Sequence, residues 1–246
     1  MSGPSVRVEV NGLEVEADLD TRLVDEILLP RLEALAVRPA GGRRYVFLAA
    51  PPGTGKSTLA AVLERRAPHL DLAAVGLDGF HLPTARLAAT PLPGGDGSGR
   101  LLDVKGAPET FDLAALRSHL DAARHADIDW PVYDRTVHDV VPAAKRITAG
   151  LVLVEGNWLL LDEPGWDAVS TYSSLNVFIS ADRSLLRERL VQRKVRGGMS
   201  RDEAEAFYER SDGPNVDRVL RHTDTRKVDL MLHLHPDGTI DTRGDR

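Results

Sequence analysis

The sequence predicts an α/β protein built on a doubly wound, mostly parallel β-sheet. From Arg44 onward, apolar runs that are too continuous for a half-exposed strand alternate with amphipathic segments. This alternation is typical of parallel strands covered by helices on both faces. The length of 246 residues suits one such domain with a small addition. In addition, a glycine-rich turn, APPGTGKST at residues 50–58, directly follows the first apolar run.

The N-terminal annex, residues 1–40, is predicted to contain a hairpin and a helix. Two runs of alternating hydropathy flank the pair Asn11-Gly12, whose residues tolerate the positive φ of a tight hairpin turn. These runs are Val6–Val10 and Leu13–Ala17. Asp20 is expected to cap a helix that extends to about Val37, and Pro30 is expected to kink or split this helix.

The main domain, residues 41–246, is predicted to alternate strands and helices. The predicted strands are Arg44–Ala49, Ala73–Leu77, Ile128–Val132, Leu151–Val154, Leu175–Ile179 and Leu230–His235. The predicted helices are approximately Ser57–Arg66, Asp112–His125, Asp182–Val195, Arg201–Arg210 and Val216–His222. Between them, Thr90–Gly99 has no apolar period and several turn residues, which predicts a mobile surface loop.

Composition excludes several classes of function. The chain has no cysteine, so disulfides, thiolate metal sites and cysteine nucleophiles are excluded. A net charge of −6 argues against a nucleic-acid partner, whose phosphates require many basic residues. The sequence has neither an apolar signal core at its N-terminus nor a run of ~20 apolar residues. We therefore expect a cytoplasmic protein that binds a small molecule rather than a membrane, and a homodimer is compatible with the sequence.

Residues 50–58, which we call the phosphate loop, have the composition of an anion-binding turn. A glycine-rich turn between a strand and a helix directs several backbone N–H groups to one point, where the helix N-terminus adds partial positive charge. Gly55-Lys56-Ser57 match the usual pattern, while Ala50 replaces its first glycine. We expect Lys56 to reach the β- and γ-phosphates of a nucleotide and Ser57 to bind Mg²⁺. The predicted nucleotide-binding residues are Pro52, Gly53, Thr54, Gly55, Lys56, Ser57 and Thr58. The alternative is a flexible turn with a surface lysine.

Two acidic residues follow predicted strands, Asp78 in GLDGFH and Glu155 in LVLVEGNW. Ligands of open α/β sheets bind at the carboxyl ends of the strands, so both carboxylates are expected to face the phosphate loop. One carboxylate can accept the proton of an attacking hydroxyl while the other holds Mg²⁺. We assign Asp78 as the base and Glu155 as the metal-side carboxylate, with the reverse assignment left open. Helix-capping or solvated acids are the alternative.

Further candidates lie around these acids. Tyr133, Arg135 and His138 follow the predicted strand Ile128–Val132. We expect them to line one wall of an acceptor pocket. His81 follows Asp78 by three residues and can orient the base or the substrate, because neutral imidazole both donates and accepts hydrogen bonds. Lys105 is a weaker candidate for this pocket. The alternatives are a tyrosine at a strand end, a histidine bonded to a nearby carbonyl, and a solvated lysine.

The segment 187–201 has the features of a lid. Arg189 and Arg193 lie one helical turn apart and precede Gly197-Gly198. Arginines brought in by a closing lid neutralise the charge that develops on a transferred phosphoryl group and exclude water. The alternative is a solvated helix whose arginines pair with Glu188.

The order of five segments resembles a family of P-loop kinases. APPGTGKST, GLDGFH, KGAPETFD, PVYDRTVHDVV and VEGNWLLL are similar to segments of the group containing uridine kinase, phosphoribulokinase and bacterial type I pantothenate kinase. The resemblance covers Arg44 to about Asp217 and is nearest to the nucleoside or fructose-transport-associated kinase-like branch. It implies a P-loop NTPase fold, ATP and Mg²⁺ as cofactors, a lid at 187–201, and the aspartate matching Asp78 as the base. It also implies a small acceptor bearing a hydroxyl, and a nucleotide or acceptor contact at Asn215.

This chain departs from the family pattern in the expected acceptor pocket. Gly79-Phe80 replaces a serine-aromatic pair of uridine kinase, and Asp134-Arg135 differs from pantothenate kinase. The acceptor therefore stays open among nucleosides, sugars and pantothenate-like compounds. The sequence predicts an ATP-dependent kinase that transfers the γ-phosphoryl group to a hydroxyl of such a metabolite. The alternative is an ATP-gated regulatory module without metabolite kinase activity, whose annex presents a partner surface.

Overall fold

The structure is a computed structural model, and it describes residues 5–10, 12–18, 21–36, 42–93 and 98–242. The strands are β1 Ser5–Val10, β2 Leu13–Asp18, β3 Arg44–Ala49, β4 Leu72–Gly76, β5 Ile128–Asp134, β6 Asp139–Ile147, β7 Leu151–Gly156, β8 Leu175–Ala181, β9 Leu230–Leu234 and β10 Ile240–Thr242. The α-helices are α1 Leu29–Ala36, α2 Lys56–Arg66, α3 Thr84–Ala89, α4 Leu113–Ala123, α5 Arg183–Arg196, α6 Arg201–Phe207 and α7 Gly213–His222.

A six-stranded sheet in the order β10-β9-β8-β3-β7-β4 forms the centre of the protein. The strands from β9 to β4 run parallel, and only the edge strand β10 is antiparallel. Successive residues of β3 enter two different cores, since Val46 packs in the cluster on one face and Phe47 in the cluster on the other. Both faces are therefore covered, which explains the continuous apolar runs. The predicted α/β fold class is confirmed.

The strand predicted at Ile128–Val132 does not belong to this sheet. It is part of β5, which among the described residues pairs with β6 alone, in an antiparallel hairpin. The register of this pair shifts between Trp130 and Val132, around Pro131, which has no N–H to donate to a ladder. Strand β6 was not predicted because much of it is exposed and lacks apolar alternation. The short strand β10 was also missed.

The N-terminal hairpin packs against α2. Val8 of β1 is buried, and Arg65 of α2 donates a hydrogen bond from Nη1 to the Arg7 carbonyl at 2.8 Å. After the hairpin, a π-helical turn at Arg22–Leu28 continues into α1. The predicted split at Pro30 is not present, since the helix continues through the proline to Ala36, and the change from π to α geometry falls at Leu29, directly before it.

Some predictions for this region remain untested. Asn11, Asp20 and Val37 lie outside the described residues, so the turn pair and both predicted ends of the helix cannot be compared. The division into residues 1–40 and 41–246 stays a prediction. In the predicted loop Thr90–Gly99, residues 94–97 are not described, while the Leu92 N–H donates to the Gly99 carbonyl at 3.0 Å.

Within the described ranges, none of the helices combines the length and the apolar character that a bilayer span requires.

A 3₁₀ turn after β4, Leu77–Phe80, carries Asp78 and rests directly on the β5–β6 hairpin. A Cβ atom at Gly79 would lie 1.9 Å from the Pro131 carbonyl oxygen. Next to this contact, the ring of Phe80 packs edge-to-face on Trp130 with centroids 5.0 Å apart. The approach of the two backbones fixes the position of Asp78 relative to the hairpin, and only glycine permits it.

We expect Gly79→Ala to destabilise the protein. The added methyl would displace the Pro131 carbonyl, and overpacking of this kind costs about 1–3 kcal/mol or more. The melting temperature should fall by about 5 °C or more in a calorimetric scan. Gly99→Ala is the matched control, because its Cβ would meet the nearest atoms at an ordinary 3.5 Å. Equal melting temperatures for the two variants would contradict the steric argument.

Candidate active site

One cleft of about 800 Å³ lies at the carboxyl ends of the parallel strands. The phosphate loop forms one part of it and the turn that carries Asp78 forms another, so Lys56 and Asp78 face the same space. The predicted residues that line this cleft are Pro52, Gly53, Gly55, Lys56, Ser57, Thr58, Asp78, His81, Lys105, Arg135, Arg189, Arg193 and Asn215. The remaining predicted residues are Thr54, Tyr133, His138 and Glu155, which lie beside or beneath it.

The phosphate loop connects β3 to α2 through two left-handed glycines. Gly53 and Gly55 have φ values of +91° and +90°, a conformation that favours glycine. Ala50, which replaces the usual first glycine, is completely buried and therefore acts as a core residue. The Thr54 hydroxyl donates to the Pro51 carbonyl at 3.1 Å and holds the turn instead of facing the cleft. Among the described residues, no side chain caps the N-terminus of α2, which is suited to an anion.

Glu155 lies beneath the phosphate loop. Strand β7 extends to Gly156, so Glu155 belongs to the strand and does not follow it as predicted. Its Oε2 is 3.8 Å from Lys56 Nζ, and the residue is only 5% exposed. Burial raises the pKa of this carboxyl, whereas Lys56 and a hydrogen bond from the Ser57 hydroxyl act to lower it. Lys56 therefore provides the compensating charge for a carboxylate that has lost most of its hydration.

The oxygen donors here fit a magnesium ion. The Ser57 hydroxyl and the Glu155 carboxylate are adjacent and are hard ligands of the kind that Mg²⁺ prefers. In the part of the chain that the structure describes, no group of three or more histidines and acids could hold a metal on its own. This agrees with the usual coordination of Mg²⁺, which keeps water and takes further oxygens from nucleotide phosphates.

His81 fixes the turn that carries Asp78. Its Nδ1 donates to the Asp78 carbonyl at 2.9 Å, and its ring lies 3.9 Å from that of Phe111, centroid to centroid. Burial lowers the pKa of His81, with Asp78 acting in the opposite direction. The imidazole is therefore neutral near pH 7, and its Nε2 is left as a hydrogen-bond acceptor.

Lys105 joins three elements at the wall of the cleft. Its Nζ donates to Thr84 Oγ1 at 3.2 Å and to the His138 carbonyl at 3.3 Å. The same ammonium lies 4.8 Å from the centre of the Tyr133 ring. Tyr133 thus makes a cation–π contact with Lys105. His138 contributes its carbonyl here, while its side chain is exposed and its φ is +55°.

Helix α5 brings two arginines of the predicted lid to the phosphate loop. Arg189 donates from Nε to the Gly53 carbonyl at 2.8 Å. Burial lowers the pKa of Arg193, and the charge of Arg135 lowers it further. The carboxylates of Asp212 and Asp78 act in the opposite direction. Glu188, the alternative partner of these arginines, instead lies 3.2 Å from Arg201.

Several residues that line the cleft were not predicted. Val10, Leu13 and Val15 of the N-terminal hairpin do so, although none of the predicted site residues belongs to this hairpin. Leu13 is 44% exposed. The tip of the N-terminal hairpin, around Gly12 and Leu13, also reaches the β5–β6 hairpin, since a Cβ at Gly12 would lie 3.4 Å from Asp134 Oδ1.

Asn157 was also missed, although it follows Glu155 by two residues and shares its segment. It lines the cleft, and its buried Oδ1 has no hydrogen-bond partner among the described residues. Its proximity to Glu155 in sequence was the available signal. No local signal marks the hairpin tip, because only the packing of β1 on α2 brings it to the cleft.

Replacing Lys56, the partner of Glu155, should make the stability of the protein depend on the ionisation of Glu155. In the apoprotein, we expect Lys56→Met to cost about 3 kcal/mol at pH 8, as breaking a buried ion pair does, which lowers the melting temperature by about 6–12 °C. The folded-state pKa of Glu155 is already raised, and losing Lys56 raises it further. The loss should therefore grow as the pH rises and shrink as the pH falls through the raised pKa, because the carboxyl of the variant then takes up a proton.

The double variant Lys56→Met/Glu155→Gln is the control for this prediction. Because its residue 155 does not titrate, it should recover most of the stability lost at pH 8. A loss that is independent of pH, or that persists in the double variant, would contradict the pairing.

The chain is similar to kinases and kinase-like proteins. No protein-family model matches the chain. It is 42% identical over 241 residues to the uncharacterised protein YggC of Escherichia coli K12, covering 95% of this chain and 97% of that protein. A pantothenate kinase of Psychromonas ingrahamii is 29% identical over 231 residues, which cover 80% of this chain and 69% of the enzyme.

Among solved structures, that of a proposed fructose transport system kinase from Silicibacter sp. TM1040 is similar, with a TM-score of 0.73 and 31% identity. The match covers 82% of this chain and 96% of that one. The chain belongs to the uridine kinase, phosphoribulokinase and pantothenate kinase group of P-loop kinases, as the order of its segments predicted.

Proposed function

We propose that this protein is an ATP-dependent kinase that transfers the γ-phosphoryl group to a hydroxyl of a small metabolite. The observation that carries the proposal is that Lys56 of the phosphate loop and Asp78 line one cleft. A nucleotide held by the loop would place its terminal phosphate near a carboxylate that can take a proton. Phosphoryl transfer requires mainly such positioning and the compensation of charge.

The chemical step assigns a role to each group. The acceptor hydroxyl oxygen forms a bond to the γ-phosphorus, the bond from that phosphorus to the β–γ bridging oxygen breaks, and ADP leaves. The proton of the hydroxyl passes to Asp78, whose turn is held by His81. Lys56, together with Arg189 and Arg193 of the predicted lid, compensates the charge on the phosphoryl oxygens. When bound, Mg²⁺ supplies further charge compensation beside Ser57 and Glu155.

The regulatory alternative has less support. It depended on the N-terminal annex having no role in the site and presenting a surface to a partner. The hairpin tip instead lines the cleft through Val10, Leu13 and Val15. This position favours a hairpin that shields the transferred phosphoryl group from water, which a kinase needs and a partner-binding surface does not.

Asp78→Asn tests the proposed base. We expect kcat to fall about 10²–10⁴-fold, because the amide cannot accept the proton of the hydroxyl, while the Kd for ATP changes little. Products are measured by mass spectrometry after incubation with ATP, Mg²⁺ and a panel of metabolites. Asp202→Asn, at an exposed position of α6, is the control and should retain full turnover. Unchanged turnover in Asp78→Asn would rule out this assignment.

Leu13→Ser tests the role of the hairpin. Because Leu13 is a largely exposed apolar side chain in the cleft, a polar replacement should admit water without unfolding the protein. We expect the rate of ATP hydrolysis without acceptor, measured by phosphate release, to rise several-fold. Leu102, at 38% exposure, lies outside the lining of the cleft, so Leu102→Ser is the matched control. Equal hydrolysis in the two variants would exclude a shielding role.

A further inference from the structure

Arg135 is a cation in the cleft that forms no ion pair with the described residues. It follows β5 directly, is half-buried, and lines the cleft together with Asp78. Within the described residues, no hydrogen bond or ion pair joins its guanidinium to a carboxylate. The neighbouring Asp134 is already engaged, because its Oδ1 accepts from the Thr136 N–H at 2.7 Å and from the Thr136 hydroxyl at 2.5 Å.

The acidic groups of the cleft are mostly committed elsewhere. Glu155 lies against Lys56, and Asp212 lies 3.5 Å from Lys194. Glu188 accepts from Gln192 at 2.7 Å and also lies close to Arg201. Asp78 is the remaining carboxylate, and its proposed role requires that it stay available for a proton. Arg135 therefore interacts only at longer range with Glu155, whose close partner is Lys56, and forms no ion pair of its own among the described residues.

The other groups near Arg135 add to the positive charge. Lys105 donates its hydrogen bonds to a hydroxyl and a carbonyl, and its acidic neighbour Asp139 acts on it without forming an ion pair among the described residues. Arg135 lies close enough to Arg193 and Lys194 to lower the pKa of both. These positive charges repel one another. They are concentrated in the cleft although the chain as a whole has a net charge of −6. A cluster of this kind attracts anions and becomes favourable when one binds.

The phosphates of ATP do not account for all of these cations. The phosphate loop supplies Lys56 and its own amides, and Arg189 touches the loop through the Gly53 carbonyl. Lys105 instead lies on the Asp78 side of the cleft, beside Tyr133 and the carbonyl of His138. Arg135 belongs to the same β5–β6 turn. The surplus positive charge is therefore placed where the acceptor must lie.

Neutral groups around the same space suggest the rest of the ligand. The unpartnered Asn157 Oδ1 can accept a hydrogen bond from a hydroxyl. The neutral His81 offers its Nε2 as a second acceptor. The expected ligand thus combines at least one further hydroxyl with an anionic group.

We propose that the acceptor is a hydroxylated anion, whose carboxylate or phosphate binds Arg135 and Lys105 while a hydroxyl lies at Asp78. This inference rests on the proposed kinase function and narrows its substrate class. A guanidinium suits either anion, because both accept two parallel hydrogen bonds from it. An uncharged sugar or nucleoside would offer no anionic group to pair with Arg135 and Lys105 on the Asp78 side of the cleft.

Matched pairs of acceptors test the inference. The probes are glycerate and glycerol, pantothenate and pantothenyl alcohol, and fructose 6-phosphate and fructose, each with ATP and Mg²⁺. Phosphorylated products are measured by mass spectrometry, and binding is measured by calorimetry with a non-hydrolysable ATP analogue. We expect the anionic member of at least one pair to bind and react at least tenfold better than its neutral partner. The first two pairs report on a carboxylate and the third on a phosphate.

Arg135→Gln identifies the group responsible. It should raise the KM of the preferred anionic acceptor about 10–100-fold, leave the KM of ATP within about twofold, and abolish the discrimination between the members of the pair. Arg117→Gln, at an exposed position of α4, should behave as wild type. A loss of kcat and of ATP affinity in Arg135→Gln without any change in discrimination would show that Arg135 serves the nucleotide, and would overturn the inference.

The two proposals can fail separately. If neutral members react as well as anionic ones, the acceptor inference is overturned while the kinase proposal stands. If no probe binds or reacts in the presence of the nucleotide, the acceptor inference is overturned as well. Turnover that is insensitive to Asp78→Asn would instead overturn the kinase mechanism.

Discussion

The contact between Lys56 and Glu155 couples the phosphate loop to the centre of the sheet. Glu155 belongs to β7, which is buried along its whole length, and Lys56 of the loop above it lies 3.8 Å from its Oε2, with a smaller electrostatic contribution from Arg135. A carboxylate in this position costs free energy unless its partner stays in place. The loop is therefore held in a shape that can bind phosphate before any nucleotide arrives, and ligand binding need not pay for its ordering.

Much of the fold was predictable because parallel strands covered on both faces leave a strong sequence signal. Strand β3 was predicted to the residue, and the other sheet strands that were predicted differ by only one or two residues at their ends. The β5–β6 hairpin was not recognised as a separate unit. Its first strand contains the buried Trp130, like a core strand, whereas β6 is mostly exposed. Local hydropathy does not reveal which partner a strand will choose.

Some residues of the candidate site could be predicted from the order of the strands, whereas others reach the cleft only through tertiary packing. Lys56, Ser57 and Asp78 follow strands that point to one edge, so the topology of the sheet was enough to bring them together. The hairpin tip around Leu13 reaches the cleft only because Val8 is buried against the core next to α2. No spacing rule connects residue 13 with residue 78. Side-chain contacts such as Tyr133 beneath Lys105 likewise depend on the meeting of separate loops.

If the proposed kinase function holds, the close approach of Gly79 to the Pro131 carbonyl has a consequence for how this protein could acquire new substrates. Because the two backbones touch there, and Trp130 of the hairpin donates from Nε1 to the Gly76 carbonyl at 3.1 Å and packs on Phe80, the β5–β6 hairpin and the Asp78 turn are expected to move together. A bulkier substrate accommodated by bending the hairpin would misalign the reacting groups. Divergence of specificity should therefore proceed by exchanging side chains at the tip of the hairpin, with its main chain kept in place.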